Sequence, residues 1–237
     1  MFPERVEKWR SLTRSIAPDL PEDIVLAIIW HESNGKVSGL VGQGKTRCGV
    51  LPLRGGGSER ICHALGLMQV IPGNIAKWNE RHPNGIVYLD DMLSLDPYPA
   101  KKQITLGANI LRGAFAHLHR YWPRVFPWPE GVLTDDQIRI GLMSYAYGQG
   151  RIGPKLTQLQ NEGLPLTFDN FAERWPTLGY PQNRPVHYSQ WVWARAHGQK
   201  GPPRRPAQPT KPVTEVAGVG PAVALLALAF FAFGKRG

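Results

Sequence analysis

Two short runs hold the residues that could do chemistry. His31-Glu32-Ser33 closes an apolar stretch, and Gly66-Leu67-Met68-Gln69 follows a glycine-rich segment. Ile24, Ile28 and Glu32 are spaced i, i+4, i+8, which on a helix puts the carboxyl on or beside the isoleucine stripe. A carboxyl so placed loses water. Desolvation disfavours the anion and raises the pKa, so the group can still hold a proton near neutral pH and give it to a leaving oxygen. On spacing alone a second reading has equal standing, a last-turn carboxylate reaching back to water beside His31. The other run offers binding chemistry: glycine lets a ligand approach the backbone, and Gln69 carries both a donor and an acceptor.

The elements that must position these residues are helical. Pro21-Glu22-Asp23 predicts a helix start, with two carboxylates at the positive end of the dipole and an end near Ser33. A second helix is expected after Pro72, with Trp78 in it. Residues 40 to 60 read as loop, and 81 to 100 as an extended connection. Ile104, Ala108, Leu111, Phe115 and Leu118 form a stripe on a helix that ends near Trp122. Thr134 or Asp135 can cap a further helix whose inner face is Ile138, Leu142 and Tyr145, and a short aromatic helix is expected from Tyr188 to His197. No strand pattern is strong, so the fold class is mainly α.

With 237 residues, 42% of them hydrophobic, the chain can build a core and carry appendages. Its net charge of +10 points to an acidic partner, but half of that excess lies beyond residue 198, where six basic residues stand against Glu215 alone. The remainder is mildly basic and holds no nucleic-acid-binding motif, which argues against nucleic acid. Cys48 and Cys62 can close a loop or stay as two free thiols; a metal site with His63 lacks a fourth ligand at a recognisable spacing. Residues 199–215 have the proline-rich, basic composition of an extended linker. Residues 216–234 carry no charge and are long enough for a C-terminal transmembrane helix, or for a docked or interfacial segment, since Gly218, Gly220 and Pro221 weaken the first turn.

Glu32-Ser33 at a helix end, Gly66-Leu67-Met68-Gln69 with Pro72 behind it, and Ser144-Tyr145-Ala146-Tyr147-Gly148 occur in an order that resembles the lytic transglycosylase and goose-type lysozyme superfamily. The resemblance implies a lysozyme-like domain, α+β with minimal β, over residues 1–198. It implies peptidoglycan glycan strands as substrate, cleaved between N-acetylmuramic acid and N-acetylglucosamine, and neither cofactor nor metal. By the same resemblance Glu32 is the catalytic acid, Met68 and Gln69 line the sugar subsites, Tyr145 orients Glu32 and Ser33 assists at the acetamide. Tyr147 is a candidate to replace hydrogen bonds lost where the family's asparagine is Ala146. A further departure is His63 in place of a glycine before Ala64.

The chemistry then divides. A hydrolase needs a second carboxylate, about 6.5–9.5 Å away if it inverts. Between Ser33 and Gln69 the sole acid is Glu59, so the transglycosylase route, ending in a 1,6-anhydro product, is favoured. Muramidase hydrolysis through Glu59, Asp90 or Asp91 stays open, as does a non-catalytic wall-binding protein. Trp30, Trp78, Trp122, Trp128, Trp175, Trp191 and Trp193 are candidates for stacking on sugars, with most expected in packing and one or two in the cleft. Residues 1 to 14 lack the apolar core of a secretory signal, and four basic residues precede the apolar tail while two follow it. The positive-inside tendency would hold the domain on the side that lacks substrate. The expectation that reconciles these is a bacteriophage enzyme in a virion membrane, or a bacterial inner-membrane protein working with envelope-complex proteins.

Overall fold

A helix buried on every side organises the fold. In the computed structural model, which describes residues 1–36, 48–123, 125–129, 131–175 and 184–200, ten α-helices and one hairpin are seen. They are α1 (Glu4–Glu7), α2 (Arg10–Ile16), α3 (Glu22–Ser33), β1 (Gly49–Pro52), β2 (Ser58–Ile61), α4 (Pro72–Arg81), α5 (Leu89–Leu93), α6 (Pro97–Tyr121), α7 (Asp135–Tyr147), α8 (Gln149–Asn161), α9 (Phe168–Arg174) and α10 (Arg184–Ala196). In α3 the whole run from Ile24 to Ile29 is buried, so it is a central helix rather than a two-faced one. Pro21 stands just before its first turn, and Glu22 and Asp23 occupy the turn's acidic positions, as the sequence predicts.

The other helices wrap α3. α10 packs against α7 and α3, and α6 lies along α7. α7 begins at a capping box in which the Gln137 backbone N–H donates to Thr134 Oγ1 and the Thr134 N–H donates to the Gln137 side chain. It separates two apolar clusters. Ile138, Leu142 and Tyr145 face the cluster built on α3, while Ile140, Met143 and Tyr147 face a second one made with α8, α9 and the end of α6.

The segment expected to be loop contains the one sheet seen, an antiparallel hairpin pairing Gly49 with Ile61 and Pro52 with Ser58. Three successive glycines at its tip hid two four-residue strands from any periodicity. Cys48 and Cys62 are joined in a disulfide across the hairpin's open end, which leaves neither free thiols nor metal ligands. Residues 81 to 100 also correct the expectation: they hold a 3-10 turn at Pro83–Gly85, α5 and the first turn of α6. Proline marks the start of an element there, since Pro83 and Pro97 each take a first position in which a missing N–H costs nothing.

Among the described residues no helix is long and apolar enough to cross a membrane. The linker expected at 199–215 lies outside the described residues from 201 on, as does the membrane helix expected at 216–234. Met1–Pro202 forms one compact unit.

Candidate active site

Glu32 sits in the last turn of α3. The turn is closed by Ser33, whose hydroxyl donates to the Ile29 carbonyl (3.0 Å) and accepts from the Gly35 N–H (3.2 Å), and by Asn34 in the left-handed conformation (φ 57°). Ser33 is buried and spent on that cap, so the structure gives its side chain to helix termination and not to a ligand's acetamide. The Glu32 side chain keeps some exposure, yet enough protein surrounds it that burial raises its pKa to about 7, against a smaller opposing pull from the Tyr188 hydroxyl. Among the described residues no carboxylate contributes to that shift. The intervening stretches 37–47 and 176–183 contain neither aspartate nor glutamate.

Tyr188 is the residue the sequence reading missed. It lies on α10, buried, with its hydroxyl close enough to Glu32 to act on it as a hydrogen-bond donor, although the contact falls outside standard hydrogen-bond geometry. Burial and the nearby carboxyl both push its pKa up, so it remains a neutral donor. Its ring meets His31 edge-on (4.7 Å between centroids) and lies near-parallel to Tyr145 (6.2 Å). α10 itself is fixed to α7 by Ser189, whose hydroxyl donates to the Arg139 carbonyl at 2.7 Å. The signal for Tyr188 was an aromatic on a helix expected to close the domain; nothing in its spacing distinguished it from core.

Tyr145 has a different partner from the one expected. Its hydroxyl donates to the Met68 carbonyl (3.0 Å), so it holds the Gly66–Gln69 turn and makes no hydrogen bond to Glu32. Leu65 and Val70 bridge the ends of that turn through two backbone hydrogen bonds, and Gly66 and Gln69 both take positive φ inside it. Met68 is fully buried: a Cβ on Gly107 would lie 2.2 Å from its sulfur, so Gly107 of α6 exists as the gap that Met68 fills. Its side chain is packed beneath the turn, contrary to the expected role of lining a sugar subsite. Gln69 is half-buried, with its amide nitrogen donating to the Gly66 carbonyl (2.9 Å). Tyr147 turns away to the second cluster, edge-on to Trp175 at 5.7 Å with the Arg151 guanidinium 4.8 Å above its ring.

Gln103 anchors the turn from below. Fully buried on α6, it accepts from the Leu67 N–H (2.8 Å) and donates to the Asp91 and Ser94 carbonyls (2.6 and 2.7 Å). One side chain thereby ties the turn to α5 with no polar atom left over. Asp91, weighed as a catalytic base, is instead a structural ion. It accepts from the Tyr88 N–H (3.0 Å) and from Lys102 Nζ (2.8 Å), and pairs with Arg54 of the hairpin. Burial opposes its charge, but these donors prevail and hold its pKa below the usual range. Asp90 accepts from the Arg54 N–H (2.9 Å), and Glu59 points to solvent on β2. Of the tryptophans, Trp122, Trp128, Trp175 and Trp191 are buried, whereas Trp30, Trp78 and Trp193 are partly exposed. Trp78 of α4 stacks on His82, the residue that ends the helix (3.8 Å), nearly two turns on from Pro72.

Comparison with known proteins finds a family match over residues 13–163, described as Transglycosylase SLT domain. The span takes in Glu32, the Gly66–Gln69 turn and Tyr145, and stops short of Tyr188. No curated protein and no solved structure matches the chain.

Proposed function

From the premise that this chain belongs to the transglycosylase SLT family, whose members are lytic transglycosylases acting on peptidoglycan, we propose that it cleaves the β-1,4 bond between N-acetylmuramic acid and N-acetylglucosamine and leaves a 1,6-anhydromuramoyl end. The observation that carries this reading is a carboxyl raised by burial to a pKa of about 7, on which no second carboxylate acts among the described residues.

Such a group suits two successive proton transfers. Protonated Glu32 gives its proton to the glycosidic oxygen, and the N-acetylglucosamine side departs as an alcohol. The electron deficit left at the muramic C1 is met by the carbonyl oxygen of that sugar's own acetamide. Glu32, now anionic, takes the proton of the 6-hydroxyl as its oxygen attacks C1, closing the anhydro ring and releasing the acetamide. Proton and bonds balance without water. The Tyr188 hydroxyl steadies the anion formed between the steps, and Gln69 offers its side-chain oxygen to the substrate.

Muramidase hydrolysis would need a base, and Asp90 and Asp91 are both engaged in holding the hairpin. Product analysis of digested glycan strands by mass spectrometry tests the reading. Anhydro ends lost in Glu32→Gln support it; reducing ends would overturn it in favour of hydrolysis. No cleavage by wild type would favour the wall-binding alternative.

For location, the proposal is attachment to a lipid membrane through residues 216–234, in a virion or at the bacterial inner membrane. The disulfide supports placing the catalytic unit on an oxidising side, where peptidoglycan also lies, against the charge asymmetry of the tail. Protease shaving of particles or spheroplasts tests it; a domain protected in both would exclude it.

A further inference from the structure

Twelve residues precede the matched span, and two arginines among them grip opposite ends of the helix that carries Glu32. Phe2, Val6 and Trp9 are buried, with Phe2 edge-on to Trp30 at 5.9 Å. At the start of α3, Arg10 Nη1 donates to Glu22 (2.5 Å) and Asp23 (2.8 Å). At its end, Arg5 forks onto Asn34: Nε donates to the main-chain oxygen (3.0 Å) and Nη2 to the side-chain oxygen (2.7 Å). Gly35 takes φ +72°, and a Cβ there would stand 2.4 Å from the Arg5 carbonyl oxygen, so the two backbones touch.

We propose that this N-terminal strap sets the position of Glu32, with Arg5 as a positioning residue acting through Asn34; the inference rests on the proposed role of Glu32. Asn34 follows Glu32 by two residues and is the left-handed cap on which its turn ends. The Arg5–Asn34 fork is solvent-exposed and so adds little to global stability. Its effect is local. Without it the last turn frays and the Glu32 carboxyl gains water, which favours the anion. The titratable groups facing that carboxyl are Tyr188 from α10 and Tyr145 from α7, with His31 beside it packed on Tyr188 and Trp191.

The test compares the full chain with Arg5→Ala, Arg5→Lys and Asn34→Gly in pH-rate profiles on glycan strands, with Glu32→Gln as control. It also includes an NMR titration of the Glu32 carboxyl that needs no turnover. Arg5→Ala is expected to move the alkaline limb of kcat down by ~0.5–1 pH unit and to lower kcat at pH 7.5 by ~3–10-fold, with KM within about twofold. Arg5→Lys restores part, because the ammonium keeps the charge and loses the fork. Asn34→Gly keeps a cap that tolerates positive φ, removes one acceptor, and shifts the limb the same way by less. An Arg5→Ala protein whose alkaline limb and NMR titration both match wild type would overturn the proposal. If wild type cleaves nothing, the proposed activity fails, while the NMR titration still decides the strap.

Discussion

The Tyr145 hydroxyl donates to the Met68 main-chain oxygen at 3.0 Å, and through that bond α7 fixes the turn between the hairpin and α4. Glu32 is left to a different tyrosine, Tyr188, from a helix that lies beyond the matched family span. The two rings lie near-parallel with centroids 6.2 Å apart, one serving the binding turn and the other the acid. Their separate duties give separate consequences on substitution.

Removing the Tyr188 hydroxyl takes away the group that favours ionised Glu32 and leaves desolvation unopposed. Tyr188→Phe is therefore expected to shift the alkaline limb of the pH-rate profile upward and to lower kcat by up to ~10-fold. Tyr145→Phe leaves that limb where it is and costs ~1 kcal/mol of stability through the lost bond to Met68. A shared shift in both variants would show that the duties are not divided in this way.

Glu32 also makes stability depend on pH. Its pKa is about 7 in the folded chain against 4.5 for the ordinary carboxyl, so the folded state binds the proton more tightly. Below pH 4.5 the group is neutral in both states and the full stability is present. As pH rises through 7 the unfolded chain has already ionised and stability is lost. Glu32→Gln, which never ionises, should exceed wild type by ~2–3 kcal/mol at pH 8 and match it near pH 4. Calorimetry at the two pH values measures this, and an equal gain at both would refute the burial argument.

Beneath the binding turn, Gln103→Leu would strand the Leu67 N–H and leave the Asp91 and Ser94 carbonyls without their donor. A loss of ~2–4 kcal/mol is expected from denaturant midpoints. Gly107→Ala would drive a methyl into Met68 and cost ~1–3 kcal/mol, with KM raised as the turn is displaced. A neutral Gly107→Ala would mean that Met68 moves without consequence for the turn.

The Cys48–Cys62 disulfide closes a short loop around the hairpin, for which the chain-entropy account gives ~3 kcal/mol. Replacing both cysteines with serine should lower the unfolding midpoint by that order and make the hairpin the first segment to exchange its amide protons. Uniform loss of protection across α3 and α6 would show instead that the hairpin is not a separate unit.

Much was legible in the residues. The span of α3, a cap for α7 at Thr134 or Asp135 and the helix after Pro72 follow from local rules that a short window contains, such as a proline before a first turn or a capping side chain ahead of an apolar period, whereas helical spacing left burial of Glu32 and a reach back to water equally open. The hairpin was not legible, because its two strands are four residues each and their pairing is set by a glycine turn and a disulfide rather than by alternation. Helices α8 and α9 were missed for a related reason. Glycine breaks and Pro154 hide α8, which is held by burial of Ile152, Leu156 and Leu159 against the second cluster.

The sequence by itself determined that Glu32 would lie at the end of an apolar helix and that the stretch from Ser33 to Gln69 holds no aspartate and Glu59 as its sole acid, since composition and helical period are properties of neighbouring residues. Only the tertiary structure decided which side chains serve Glu32. It turned Met68 and Ser33 inward to packing and capping, gave Tyr145 to the Met68 carbonyl, and brought Tyr188 across more than 150 residues to the carboxyl. Hydrogen-bond partners are chosen by distance in space, and a linear order of residues holds that distance only within a few turns of chain.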